Sequence, residues 1–132
     1  MCIPGCGGTG KSQLIRAVTD YFRVTNRIQK MRKLAPTGIA AAEIGDLKLE
    51  KEWTLVEYLL IDQMSMVGLT LLGKLNRILC AAKHADPQIP FGGINVIFFG
   101  DYLQYRPVYD ALLHTYLSPE NKKKSNNVLH IL

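Results

Sequence analysis

Residues Gly5-Cys6-Gly7-Gly8-Thr9-Gly10-Lys11-Ser12 read G-x-x-x-x-G-K-S, and no other segment restricts the possible folds of this chain so strongly. Glycines accept positive φ without cost and carry no side chain, so their backbone can close around a polyphosphate. The loop is followed at once by an amphipathic stretch. A helix starting there points its unpaired N–H groups and the positive end of its dipole at the loop. In this arrangement Gly5, Cys6, Gly7, Gly8, Thr9 and Gly10 wrap the phosphates of a nucleoside triphosphate, Lys11 reaches the β/γ-phosphates, and the Ser12 hydroxyl ligates Mg²⁺. ATP and Mg²⁺ are the cofactors the motif calls for.

The remainder of the sequence supplies the alternation that such a loop needs. Leu14, Ile15, Val18, Tyr21 and Phe22 share one face at helical spacing, which predicts a helix over 11–23. Lys30 to Ala35 reads as a short strand, Ile39 to Ile44 as a short helix ended by Gly45, and Asp46 to Glu52 as a loop. Val56–Ile61 and Ile94–Phe99 are near-continuous apolar runs, ending in Asp62 and in Gly100-Asp101. Such runs suit parallel strands covered on both faces. Between them Leu69, Leu72, Leu75, Ile78, Leu79 and Ala82 predict a helix, and the Pro- and Gly-rich segment 86–93 turns the chain back. The expected fold class is α/β, a parallel sheet flanked by helices, with every polar motif at the carboxyl end of a strand.

Size allows one domain at most: 132 residues are few for a full nucleotide-binding sheet. Met1-Cys2-Ile3 is short for a central strand, and Val128–Leu132 begins an apolar element, so the sheet is expected to be incomplete. Asn121–Asn127 reads as a flexible connector. No apolar run is long enough to span a bilayer, and no membrane partner is expected. The three cysteines, Cys2, Cys6 and Cys80, complete no metal cluster and read as reduced thiols of an intracellular protein. The formal charge of +5 gathers partly in Arg23, Arg27, Lys30, Arg32 and Lys33 and partly in Lys122–Lys124. It favours polyanion partners, although charge runs are commonly no more than solvated faces.

Four segments occur in order: Gly5–Ser12, LAPTGIAA at 34–41, LLIDQMSMV at 59–67, and GINVIFFGDYLQ at 93–104. Together they resemble the Pif/RecD-like helicases of superfamily one, a group that includes helitron-type helicases. The resemblance covers essentially the whole chain, but only the first of that family's two RecA-like motor domains. It implies a P-loop fold, ATP hydrolysis coupled to 5′-to-3′ DNA unwinding, single-stranded DNA as partner, and work in DNA repair, recombination and telomere maintenance. A nuclear location in a eukaryote, or a mitochondrial one, would follow. By position, Asp62 matches the acid that holds Mg²⁺ through water, and Gln104 matches the γ-phosphate sensor. Pro36, Thr37 and Gly38 match the segment that touches the DNA backbone. From the residues alone, these three also fit an ordinary turn between strand and helix. Tyr102, Tyr105 and Tyr109 fit base stacking or plain core and surface roles.

The sequence departs from the family pattern at telling places. Gln63 stands where the family has the Glu that polarises the attacking water, and an amide cannot take up that proton. General-base catalysis is typically worth about 10²–10⁴-fold, so the resemblance implies Mg·ATP binding with slow or absent turnover. Segment 46–55 is shorter than its family counterpart, and Arg106 replaces a small residue or proline. Degeneration of the copy, a nucleotide-gated binding module and another class of P-loop NTPase remain the alternatives to a helicase portion. The short first strand predicts exposed apolar surface and self-association. Sizing at several concentrations checks this, and a monomer at all of them would refute it.

Overall fold

The computed structural model describes residues 1–5, 8, 10–41, 51–101 and 106–107. Four strands, β1 (Cys2–Pro4), β2 (Met31–Leu34), β3 (Tyr58–Ile61) and β4 (Asn95–Gly100), form one sheet in the order β1-β4-β3-β2. All three pairings are parallel, with Ile3 opposite Phe99, Leu60 opposite Ile97 and Lys33 opposite Leu60. Parallel pairing requires a long crossover between strands. The helices α1 (Lys11–Val24), α2 (Pro36–Ala41) and α3 (Leu69–Ala82) lie in these crossovers.

Each central strand divides its side chains between two cores, which explains why it reads as an unbroken apolar run. Leu60 and Phe99 join Met31 and Phe22 of α1 on one face, with Ile15, Val18 and Tyr58 packed against them. The Phe22 and Tyr58 rings meet edge-on, with centroids 5.3 Å apart. Leu59, Ile61 and Val96 face the opposite side, where Leu72, Leu75 and Leu79 of α3 and Ile39 of α2 cover them. The apolar stripe of α3 runs from Leu69 to Ala82, as its periodicity predicts.

Several expectations need correction. The helix after β2 begins at Pro36, not Ile39, so Pro36–Gly38 is its first turn. Proline fits that position because its φ is already helical and its missing N–H is not needed there. Lys51 and Glu52, in the stretch expected to be a loop, are helical together with Trp53, which is buried in the α3-side core. β3 is shorter than its apolar run, because the Val56 amide closes a turn onto the Trp53 carbonyl at 3.1 Å. Among the described residues β1 pairs with β4 alone. The expected end of the first helix, the strand over 30–35 and the turn over 86–93 agree with the structure to within a residue or two.

The turn Pro90–Gly93 shows a device that the sequence pattern alone conceals. Asn76, buried on α3, accepts a hydrogen bond from the Phe91 amide at 2.7 Å. Gly92 lies at φ 61°, where a Cβ would come within 2.9 Å of the Leu79 carbonyl oxygen. The turn is thus stitched flat against α3 and aims β4 into the sheet.

At the amino-terminal edge Lys30 pairs with Glu57 at 2.7 Å. The Lys30 hydrogen bond holds the Glu57 carboxyl below its ordinary 4.5 against the opposing effect of desolvation, with further help from the charges of Lys30, Arg27 and Lys83. A depressed carboxyl contributes stability in full above its unfolded value and loses it as pH falls through the folded one. Glu57→Gln is therefore expected to lower Tm slightly at pH 7, as exposed pairs do. The difference from wild type begins to narrow as pH falls below about 4.5 and goes on narrowing through the lower folded value, and it shrinks in high salt. Thermal scans at pH 7 and pH 3 check it, and an equal difference at both would refute the assignment.

Candidate nucleotide site

Because all four strands run the same way, their carboxyl ends share one edge. Gly5 follows β1, Pro36 follows β2, Asp62 follows β3 and Asp101 follows β4. The order of the strands puts β4 between the strand that feeds the phosphate loop and the strand that ends in Asp62.

The loop opens into α1 through Gly10, whose φ of 78° lies in the left-handed region, as does that of Gly8 at 81°. A side-chained residue is strained in either position. Gly10 contributes no side-chain cap to α1, and no acidic residue occupies the first helical turn. Helices commonly recruit Ser, Asp or Glu there to satisfy free N–H groups and the positive dipole end. The Lys11 ammonium folds back and donates to the Gly5 carbonyl, so the cation lies across the loop that it is expected to serve. Ser12 is exposed beside it at the start of α1.

Asp62 and Gln63 form the next corner. The Asp62 amide donates to the Leu34 carbonyl at 3.2 Å, which ties this corner to the chain entering α2 and its Pro36–Gly38 turn. The Asp62 carboxylate accepts the Gln63 amide at 2.8 Å, while the side chains of both residues remain exposed. Gln63 is left-handed, at φ 57° and ψ 49°. A non-glycine residue there carries strain of order 1–3 kcal/mol that the surroundings must hold. Thr37 is exposed and Pro36 buried at the head of α2. An exposed carboxylate and hydroxyl near a cationic loop are hard oxygen donors of the kind that suits Mg²⁺.

The structure thus brings the described members of the expected site, Gly5, Gly8, Gly10, Lys11, Ser12, Asp62, Gln63 and Pro36–Gly38, to one edge of the sheet. Cys6, Gly7, Thr9, Gln104 and the tyrosines at 102, 105 and 109 lie outside the described residues, as do segments 121–127 and 128–132. Among the described residues no group of His, Cys, Asp and Glu could hold a metal, and Cys2 and Cys80 form no disulfide. No helix among them is long and apolar enough to cross a membrane. Two contacts that hold the site together are not visible in the motifs that contain their residues. The Gly5 amide donates to the Gly100 carbonyl at 3.1 Å, and Met64, fully buried, lies under the Asp62–Gln63 corner. Their only trace in the sequence is a glycine before Asp101 and an apolar residue straight after the polar pair.

Comparison with known proteins bears on this arrangement. A family model described as PIF1-like helicase matches residues 46–118, more than half of the chain. The ATP-dependent DNA helicase PIF1 of Saccharomyces cerevisiae is 30% identical over 130 residues, spanning 79% of this chain and 15% of that protein. The solved Pif1 helicase from Candida albicans superposes with a TM-score of 0.66 at 28% identity, over 82% of this chain and 30% of the other. The fold is shared with Pif1 helicase from Bacteroides in complex with ADP-AlF3 and ssDNA, at a TM-score of 0.65 and 23% identity over 96% of this chain and 32% of that one. The chain therefore spans a third or less of each protein it matches here. With the family match running through both β3 and β4, the chain belongs to the PIF1-like helicase family.

Proposed function

We propose that these residues form part of the first RecA-like motor domain of an ATP-dependent DNA helicase, binding Mg·ATP at the carboxyl edge of the sheet. The observation that supports this most is the uncapped, acid-free start of α1 with Lys11 bent across the loop to Gly5. In this reading the loop and Lys11 take the phosphates, and Ser12 and Asp62 hold Mg²⁺. The metal would offset the charge that builds up on the transferred phosphoryl group. Gln104 senses the γ-phosphate, and the exposed Thr37, with Pro36 and Gly38, contacts single-stranded DNA along its backbone. The Bacteroides relative in complex with ADP-AlF3 and ssDNA supports both ligands. The whole protein would unwind DNA in repair, recombination or telomere maintenance, inside the cell, in a nucleus or a mitochondrion.

Gln63 sets the rate in this proposal. It occupies the corner beside Asp62 but has no basic oxygen to accept a proton from water, so ATP is held longer than it is split. An arginine from a second motor domain would supply a further factor of about 10³–10⁵, and these 132 residues turn over slowly without it. The same residue favours a second reading, in which the chain is a nucleotide-gated module that grips DNA while ATP stays bound.

Binding and turnover of ATP by wild type, Gln63→Glu and Lys11→Ala test both readings. Wild type is expected to bind Mg·ATP with negligible turnover, Gln63→Glu to gain about 10²-fold or more in rate, and Lys11→Ala to lose binding. Wild-type affinity that Lys11→Ala leaves intact would remove the site from the loop. Faster release of single-stranded DNA after ATP is withdrawn favours the gated module, whereas DNA affinity indifferent to ATP argues against it.

A further inference from the structure

The buried contact between Met64 and Gly100 lies where three strand ends converge. Gly100 has φ 152°, and a Cβ on it would approach the Met64 amide nitrogen to 2.8 Å and its Cγ to 3.0 Å. Only a glycine allows β4 to end so close to the corner that follows β3. On its other side, Gly100 receives the Gly5 amide at the mouth of the phosphate loop. Met64 is entirely buried, and its thioether sulfur lies 3.2 Å from the Cys2 thiol of β1. A continuous chain of contacts therefore runs from Gly5 through Gly100 to Met64, with Cys2 touching Met64 from the loop strand. The corner Asp62–Gln63 is one peptide bond away.

From this geometry we infer that Met64 and Gly100 act as a positioning pair, fixing the Asp62 carboxylate relative to the phosphate loop and so setting the strength of Mg²⁺-assisted nucleotide binding. The inference rests on the functional reading above. Neither residue touches the ligand; both act through the backbone of the corner. The Asp62 side chain is exposed, and its carboxylate is steadied by the Gln63 amide, which belongs to a left-handed residue. A left-handed glutamine relaxes unless its neighbours hold it, and Met64 is the buried neighbour able to do so. Loop and carboxylate must converge on one Mg²⁺-bound phosphate, so a displacement of about 1 Å is costly even when both elements stay folded.

The test measures the affinity of a fluorescent ATP analogue with Mg²⁺ and with excess EDTA, and takes the ratio as the Mg²⁺ gain. Gly100→Ala adds the forbidden Cβ, and Met64→Val shortens the buried side chain more gently, keeping the assay readable if the first variant does not fold. Leu75→Val, in the α3-side core, is the control for general loosening. Both site variants are expected to lose about 10- to 100-fold of the Mg²⁺ gain, the range typical of groups that orient a metal ligand, while affinity in EDTA stays within about twofold. Leu75→Val should keep the gain despite a lower Tm. An unchanged gain in Met64→Val, or an equal loss in Leu75→Val, overturns the inference while leaving the nucleotide site standing. A wild type with no affinity under either condition overturns the functional reading and this inference with it.

Discussion

Parallel strand pairing is the constraint from which the rest of the molecule follows. A parallel ladder makes every strand end at the same edge, and each crossover must travel the length of the sheet before the next strand begins. Four short strands in the order β1-β4-β3-β2 therefore deliver four loops to one place, whatever those loops contain. The chemistry of the site then depends on what the sequence puts just after each strand: glycines and Lys11 after β1, Pro36–Gly38 after β2, Asp62-Gln63 after β3 and Gly100-Asp101 around the end of β4. Burial on both faces lets the strands be this short. β3, with four residues, contributes three that are fully buried.

The phosphate loop and the corner after β3 are rigid in different ways. The described part of the loop carries the left-handed glycines 8 and 10 and the lysine that reaches back to Gly5. The corner is held from a distance, by the Leu34 carbonyl, the buried Met64 and the close approach of Gly100. Such a division suits a motor part. In the proposed function the loop would take the polyphosphate, whereas the carboxylate proposed for the metal is placed by packing that spans three strands. The position of Gln63 matters for the same reason, since a side chain on a strained backbone corner is only as well aimed as the contacts beneath it.

What the sequence made legible was set by the range of the interactions concerned. Helix α3 could be read to the residue, because its stripe from Leu69 to Ala82 is local and long. Of the Gly5–Ser12 segment, the left-handed Gly8 and Gly10 and the start of α1 at Lys11 follow what its glycines and the amphipathic stretch after it suggest. The described helical residues 51–53 are too few to display a period, and the burial of Trp53 is what reveals their packing. The start of α2 at Pro36 was hidden because X-Pro segments serve as turns and as helix starts alike. Strand order was least accessible: nothing local tells Cys2–Pro4 that its neighbour is β4. The Met64–Gly100 contact and the Asn76–Phe91 hydrogen bond were invisible for a related reason, since each joins residues whose types suit many other environments.

The pairing of β1 with β4 also has a consequence for the order in which the molecule is assembled. The amino group of Met1 meets the Val96 carbonyl across 95 positions of sequence, so the loop strand gains its partner only after nearly a hundred residues have been joined. Closing so large a loop is slow relative to forming local helices, and contacts of this range come late in folding. During synthesis the glycine-rich loop leaves the ribosome well before β4 and waits for it before it has a sheet to stand on. The α2–α3 half, with β2 and β3 adjacent in sequence as well as in space, can gather earlier. Occupancy by a nucleotide would then stabilise the last-formed part of the structure, making ligand binding a late checkpoint on completion of the fold.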